Sequence, residues 1–160
     1  MTPEAPRDRD AAGRAKNSRP RDALGRPLPR GAANEMPEET PAGSPEEALE
    51  RGIAHFNAQR FFQAHEAWEE AWHPAPEPER DFWQGLTQVA VGLTHRQRGN
   101  PRGAVTLLRR GARRLSGYGD RYKGVPAAEI AAFAADAADR IERDGLDAPV
   151  EAPTIVRGDR

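Results

Sequence analysis

Set at about 100° per residue, the apolar positions from Phe61 to Trp72, FFQAHEAWEEAW, fall on one stripe: Phe61, Ala64, His65, Trp68, Ala71 and Trp72. That is the pattern of an amphipathic helix with one buried face. His65 lies within the stripe and Glu69 one turn later at its edge beside Phe62, while Glu66 and Glu70 rotate to the solvated side. Two of the chain's three tryptophans, Trp68 and Trp72, are expected to point inward. The helix is stopped by Pro74, Pro76 and Pro78, which lack the amide donor a helix needs.

The flanking segments read as helices packed around this one. Ser44-Pro45-Glu46-Glu47 supplies an N-cap oxygen, a proline in the first turn and a glutamate three residues on. Leu49, Ile53 and Phe56 then make a buried face, and Asn57 to Gln59 supply the turn. From about Glu79 to Arg98 a third helix is apolar over more than one face. Phe82, Leu86, Val89, Ala90 and Leu93 form one stripe with Trp83 at its border, and Gln84, Gln88, Val91 and His95 form another, so this helix is central. Gly85 and Gly92 are small positions that admit a close neighbour. Gly99 ends it, Asn100 caps the next with Pro101 first, and Ala104, Val105, Leu108, Ala112 and Leu115 face inward while Arg109, Arg110, Arg113 and Arg114 face out. Beyond the loop SGYGDRYKGVP, a last helix from about Pro126 to Arg143 presents Ile130, Phe133, Ala134, Ala137 and Ile141.

No segment alternates convincingly enough for a strand, so the expected fold class is all-α, a compact bundle of about five helices. A faint repeat supports two helical hairpins plus a C-terminal helix: offset by 40, Arg60, Ala64, Trp68, Ala71 and Trp72 correspond to Asn100, Ala104, Leu108, Gly111 and Ala112. Two copies suit a bundle better than a solenoid.

Composition sets the boundaries. Of the 160 residues 37% are hydrophobic and 31% charged, but eight of the 15 prolines fall in the first 45 residues, which hold few large apolar side chains. Residues 1–43 are therefore expected to be a disordered N-terminal tail, 44–145 a helical domain of one core, and 146–160 a flexible C-terminal tail. The N-terminus alternates Arg and Asp with no apolar run behind it, so neither secretion nor a membrane is expected, and a cytoplasmic location is. The absence of cysteine excludes disulfides, thiolate catalysis and cysteine-ligated zinc.

The net charge of −1 hides a division: residues 44–93 hold nine acids against three bases, and 94–124 hold nine bases against one acid. Residues 1–30 hold eight bases against four acids. Neither basic stretch carries stacking aromatics or a glycine-rich phosphate loop, which disfavours nucleic acid as a partner. The arginine row after Asn100 reads as a solvated face, or as one that meets the acidic helices.

The candidate chemistry centres on His65 and Glu69, which at i and i+4 project side by side and offer one nitrogen and one oxygen to a divalent metal. A third ligand must come from elsewhere; His95 is the best placed, with Glu66 or His55 behind it. No HExxH pattern is present, since Glu70 follows Glu66 by four. The alternative is a buried hydrogen-bond network of His65, Glu69, Gln84, Gln88 and His95, walled by Trp68 and Trp72, which fixes one helix on the next. The network is the simpler of the two.

The runs FFQAHEAWEEAW, DFWQGLTQVAVGLTH and RGNPRGAVTLL, over roughly Ala48 to Leu115, resemble the bacterial and archaeal family called domain of unknown function 309. That family is marked by a histidine, a glutamate four residues later and an aromatic three beyond, here His65, Glu69 and Trp72. The resemblance implies a small all-helical intracellular protein and a pattern that has been suggested to bind metal. The tail and the last helix carry none of the signature.

Three classes of function follow. The first is a binding module presenting a groove to a peptide, small ligand or partner protein. The second is a metal-binding protein or metal-dependent hydrolase with His65, Glu69 and His95 as ligands and Glu66 or Glu70 as base, although no nucleophile motif accompanies them. The third is a structural protein whose polar cluster only holds the core. The binding module asks least of the sequence.

Overall fold

The computed structural model describes residues 20–36 and 39–158, so much of the expected N-terminal tail lies outside the described residues. The chain divides into two units, 1–38 and 39–160. In the first, Asp22 accepts the N–H groups of Leu24 and Arg26 at 2.9 and 2.8 Å. Gly25 takes φ 81°, and an antiparallel bridge joins Arg21 to Pro27. This side-chain-nucleated turn is local order beyond what the composition predicts.

The second unit is built of α1 (Pro45–Asn57), α2 (Phe61–Trp72), α3 (Glu79–Gln97), α4 (Pro101–Leu115) and α5 (Ala127–Asp144). Among the described residues there is no strand beyond isolated bridges, and the all-α expectation is borne out. The signals that start the helices are the expected ones. Ser44 Oγ accepts the Glu47 N–H at 3.1 Å, and Asn100 Oδ1 accepts the Gly103 N–H at 3.0 Å. Each helix packs chiefly on its neighbours in sequence, most extensively α3 on α4. There a Cβ on Gly92 would stand 2.7 Å from Leu108 Cγ, so glycine sets how closely the two axes approach.

The repeat proves to be structural. In α1–α2 the His55 carbonyl accepts the Arg60 N–H at 2.9 Å; in α3–α4 the His95 carbonyl accepts the Asn100 N–H at 2.8 Å. The residue before each cap is left-handed, Gln59 at φ 62° and Gly99 at φ 80°. Each histidine Nδ1 receives a hydrogen bond from the cap side chain, Arg60 Nε at 2.9 Å and Asn100 Nδ2 at 3.1 Å. A Cβ on Gly52 would meet the Trp68 indole at 2.1 Å, as one on Gly92 would meet Leu108. Two hairpins of one design thus stand in series, followed by α5.

Of the two readings of the outward arginines of α4, contact with acidic side chains of neighbouring helices holds for two: Arg109 pairs with Asp139 and Glu142 of α5, and Arg114 pairs with Asp81 of α3 at 2.8 Å. One expectation is corrected: the segment after Gly145 is not a loose polar tail through its described length. Ala148 and Ile155 are buried, and Arg157 pairs with Glu46 and Glu50 of α1. No periodicity betrays such a segment, because it is neither helix nor strand and is fixed by single residues.

Candidate functional site

α2 buries Phe61, Ala64, Ala67, Trp68 and Ala71. Trp68 is fully enclosed; its ring lies 5.9 Å from that of Phe56, and its indole N–H donates to the Leu49 carbonyl at 3.4 Å. His65 and Trp72, expected within the stripe, fall at its border and are half-buried. The second buried indole is instead Trp83 on α3, whose N–H donates to Glu79 at 3.0 Å. Trp72 sits in the last turn of α2, where there is less helix to cover it.

The border carries a polar row at i, i+4 and i+8. His65 Nε2 stands 2.9 Å from Glu69 Oε2, and His73 Nε2 stands 3.4 Å from Glu69 Oε1. His65 Nδ1 faces the Phe62 carbonyl at 2.9 Å. The hydrogen bond from His65, aided by its charge and by His73, holds the Glu69 carboxyl below the usual range against the opposing effect of burial. Aromatic faces flank the row: Phe62 packs on His65 with centroids 5.0 Å apart, and Trp72 stacks on His73 at 4.9 Å. The Arg98 guanidinium lies 5.2 Å from the Phe62 ring centroid and that of Arg80 5.9 Å from Trp72's. The Trp72 indole nitrogen is covered yet has no hydrogen-bond partner among the described residues.

The expected pairing of His65 with Glu69 is present, but the wider network is not assembled. Gln88 accepts from Arg114 Nε at 3.1 Å, and His95 receives the Asn100 amide; both partners belong to the α4 side of α3 rather than to α2. Gln84 is half-buried on α3, and Glu66 is exposed on α2. Spacing fixes which residues share a stripe, but the rotation of α3 between two neighbours is decided by packing.

The geometry of His95 also fixes its chemistry. Asn100 Oδ1 is committed to the Gly103 N–H, so its amide nitrogen is the atom that faces His95 Nδ1 at 3.1 Å. Nδ1 must then be an acceptor, and the ring is neutral with its proton on Nε2. Burial, with Arg98 second, pushes its pKa below the usual histidine value, in keeping with that reading. His55 is the matching residue of the first hairpin. It is buried, accepts from Arg60 on Nδ1 and donates from Nε2 to Glu39. Helical spacing holds no trace of that pair, because Glu39 lies in the stretch that reads as tail.

The donor set does not fit the metal that the resemblance suggests. His65 and Glu69 are two ligands facing each other, both nitrogens of His65 are engaged, and His95 is turned into its own hairpin. Among the described residues no group of three or more His, Asp or Glu is arranged to hold an ion. A general base also needs one nitrogen directed at substrate, and His65 has none to spare in this arrangement.

Comparison with known proteins gives a match of residues 49–107 to the family described as Domain of unknown function (DUF309). The chain is also similar to the uncharacterized protein YpuF of Bacillus subtilis (strain 168), 40% identical over 58 residues. That alignment spans 35% of this chain and 33% of the Bacillus protein, so the chain covers about a third of its relative's length. The matched stretch begins in α1 and ends midway along α4, taking in both hairpin turns, and it contains His65, Glu69 and Trp72. The likeness to that family lies in residues 49–107, within the stretch from α1 to α4.

Proposed function

We propose that the two-hairpin domain is an intracellular partner-binding module whose recognition surface is the border row of α2: Phe62, His65, Glu69, Trp72 and His73. One observation carries this reading. The second hairpin makes the same turn and the same helix contact with Val105, Arg109, Ala112 and Arg113 at the positions of His65, Glu69, Trp72 and His73. The fold of a hairpin therefore does not require the row. Half-buried aromatics beside charged groups are the residue types that anchor protein interfaces. An ionised Glu69 suits N–H or cationic donors of a partner.

The test uses the full chain as bait in a cross-linked lysate of its source cells, beside His65→Ala/Trp72→Ala with matched helical circular dichroism. Proteins retained by the wild type should be lost with the variant, whereas Arg110→Ala on α4 should keep them. Equal retention by all three would sink the reading. The alternative, metal binding through His65 and Glu69, predicts instead that zinc, manganese or nickel is retained stoichiometrically after gel filtration and raises the wild-type Tm but not that of His65→Ala.

A further inference from the structure

The outer face of α1 carries a second surface, on which the chain's own residues 155–158 lie. Asn57 reads the backbone of one residue with both ends of its amide: Oδ1 accepts the Ile155 N–H at 2.7 Å and Nδ2 donates to the Ile155 carbonyl at 2.9 Å. The Ile155 side chain is buried in the core cluster, while Val156 beside it is 67% exposed. Arg157, its side chain 9% exposed, puts Nη1 and Nη2 on the Glu46 carboxylate at 2.7 and 2.9 Å and Nη1 on Glu50 at 2.6 Å. Its Nε donates to the Lys123 carbonyl at 2.8 Å. The Gly158 N–H then donates to the Gly124 carbonyl at 2.8 Å. A Cβ on Gly158 would come within 2.8 Å of the Arg121 guanidinium, the movable end of a long side chain.

Backbone reading, a socket for one side chain, an exposed spacer and a paired-carboxylate clamp on arginine are the parts by which domains capture extended peptides. The segment contributes no helix, and neither hairpin turn involves it. We propose that this face of α1 is a docking site for an extended segment of a partner protein with an aliphatic residue two positions before an arginine. Residues 155–158 occupy the site in cis until such a segment displaces them. A tethered occupant competes at an effective concentration on the order of millimolar, so the site is gated: only a partner presented at comparable local concentration, or bound elsewhere on the domain, exchanges with it.

The experiment disables the cis occupant in the full chain and supplies the same sequence in trans. Ile155→Ala/Arg157→Ala is titrated with a fluorescein-labelled peptide of residues 150–158, followed by anisotropy. The expected result is saturable one-to-one binding, about tenfold or more tighter than to the wild type, whose own segment competes. The same peptide carrying Arg157→Ala should bind about tenfold more weakly. No binding to a variant with wild-type helical circular dichroism, equal binding of the two peptides, or binding only in a species of doubled mass would each overturn the proposal, the last assigning the site to a second copy. Hydrogen exchange on the wild type tests it without any variant. The Ile155 and Gly158 amides should exchange by local opening, about a hundredfold or more faster than the core amides of α3. Exchange as slow as the core would make the segment an integral part of the fold.

Discussion

The two hairpins share a turn but not a surface, and the difference separates residues that build the domain from residues left over for work. What they hold in common is the glycine against a large side chain, the histidine whose carbonyl and Nδ1 both receive the cap residue, and the left-handed residue before the cap. Within that frame the second helices diverge. On α4 the position matching Glu69 is Arg109, which crosses to α5 and pairs with Asp139 and Glu142. On α2 Glu69 is held by His65 and His73 of its own helix. A carboxylate kept within one helix is available to a newcomer in a way that a cross-helix ion pair is not. Even the shared histidines are differently supplied, since His55 finds Glu39 on its second nitrogen while His95 lies beside Arg98.

Substitutions at shared positions should therefore cost more than substitutions in the row. The largest effect is expected for Trp68→Ala, which empties a fully buried site and should lose about 3–5 kcal/mol by urea titration, with Leu108→Ala close behind at about 2–5 kcal/mol. Next comes His55→Ala, at about 1–3 kcal/mol, because it strands the Arg60 and Glu39 side chains that now use its two nitrogens. Smaller, and visible only as a pH dependence, is the effect of His95. Burial, with Arg98 second, holds its folded pKa below the usual histidine value of 6.5, so its contribution is present above about pH 6.5 and is lost as pH falls through the lower folded value. His95→Gln keeps an acceptor for Asn100 but does not titrate, and its melting temperature should fall less between pH 7 and pH 5.

The smallest effect is expected in the row itself. Glu69→Gln should cost about 0.5 kcal/mol or less at neutral pH, since the pair with His65 is partly exposed. Because the Glu69 carboxyl is lowered, that contribution exists above about pH 4.5 and disappears as pH drops through the folded value. If Glu69→Gln destabilises as much as Trp68→Ala, the row is structural and the contrast between the hairpins collapses.

Much of this is legible in the amino-acid sequence alone. Ser44 and Asn100 announce their helices through local chemistry, and Gly85, Gly92 and Leu108 mark the close α3–α4 contact, because caps and close approaches are written in short-range residue types. The pairing of His65 with Glu69 follows from i, i+4 spacing alone. What spacing cannot carry is which neighbour a two-faced helix turns toward, so Gln88 and His95 were expected to face α2 and instead meet α4. Contacts made by irregular chain were equally hidden. Glu39 on His55 and Ile155 on Asn57 obey no period, and each joins segments that look polar and unattached.

The clasp of Asn57 on Ile155 has a consequence for the order in which the chain is made. The helix contacts join neighbours in sequence and can close soon after the second partner leaves the ribosome. The clasp spans 98 residues and the ion pair of Arg157 with Glu46 spans 111. At translation rates of about 5–20 residues per second, the outer face of α1 stays uncovered for roughly 5–20 s after its helix exists. During that interval Asn57 and Glu50 are without the chain's own residues 155–158. A partner segment that meets the nascent chain faces a site that, once Gly158 has emerged, it must share.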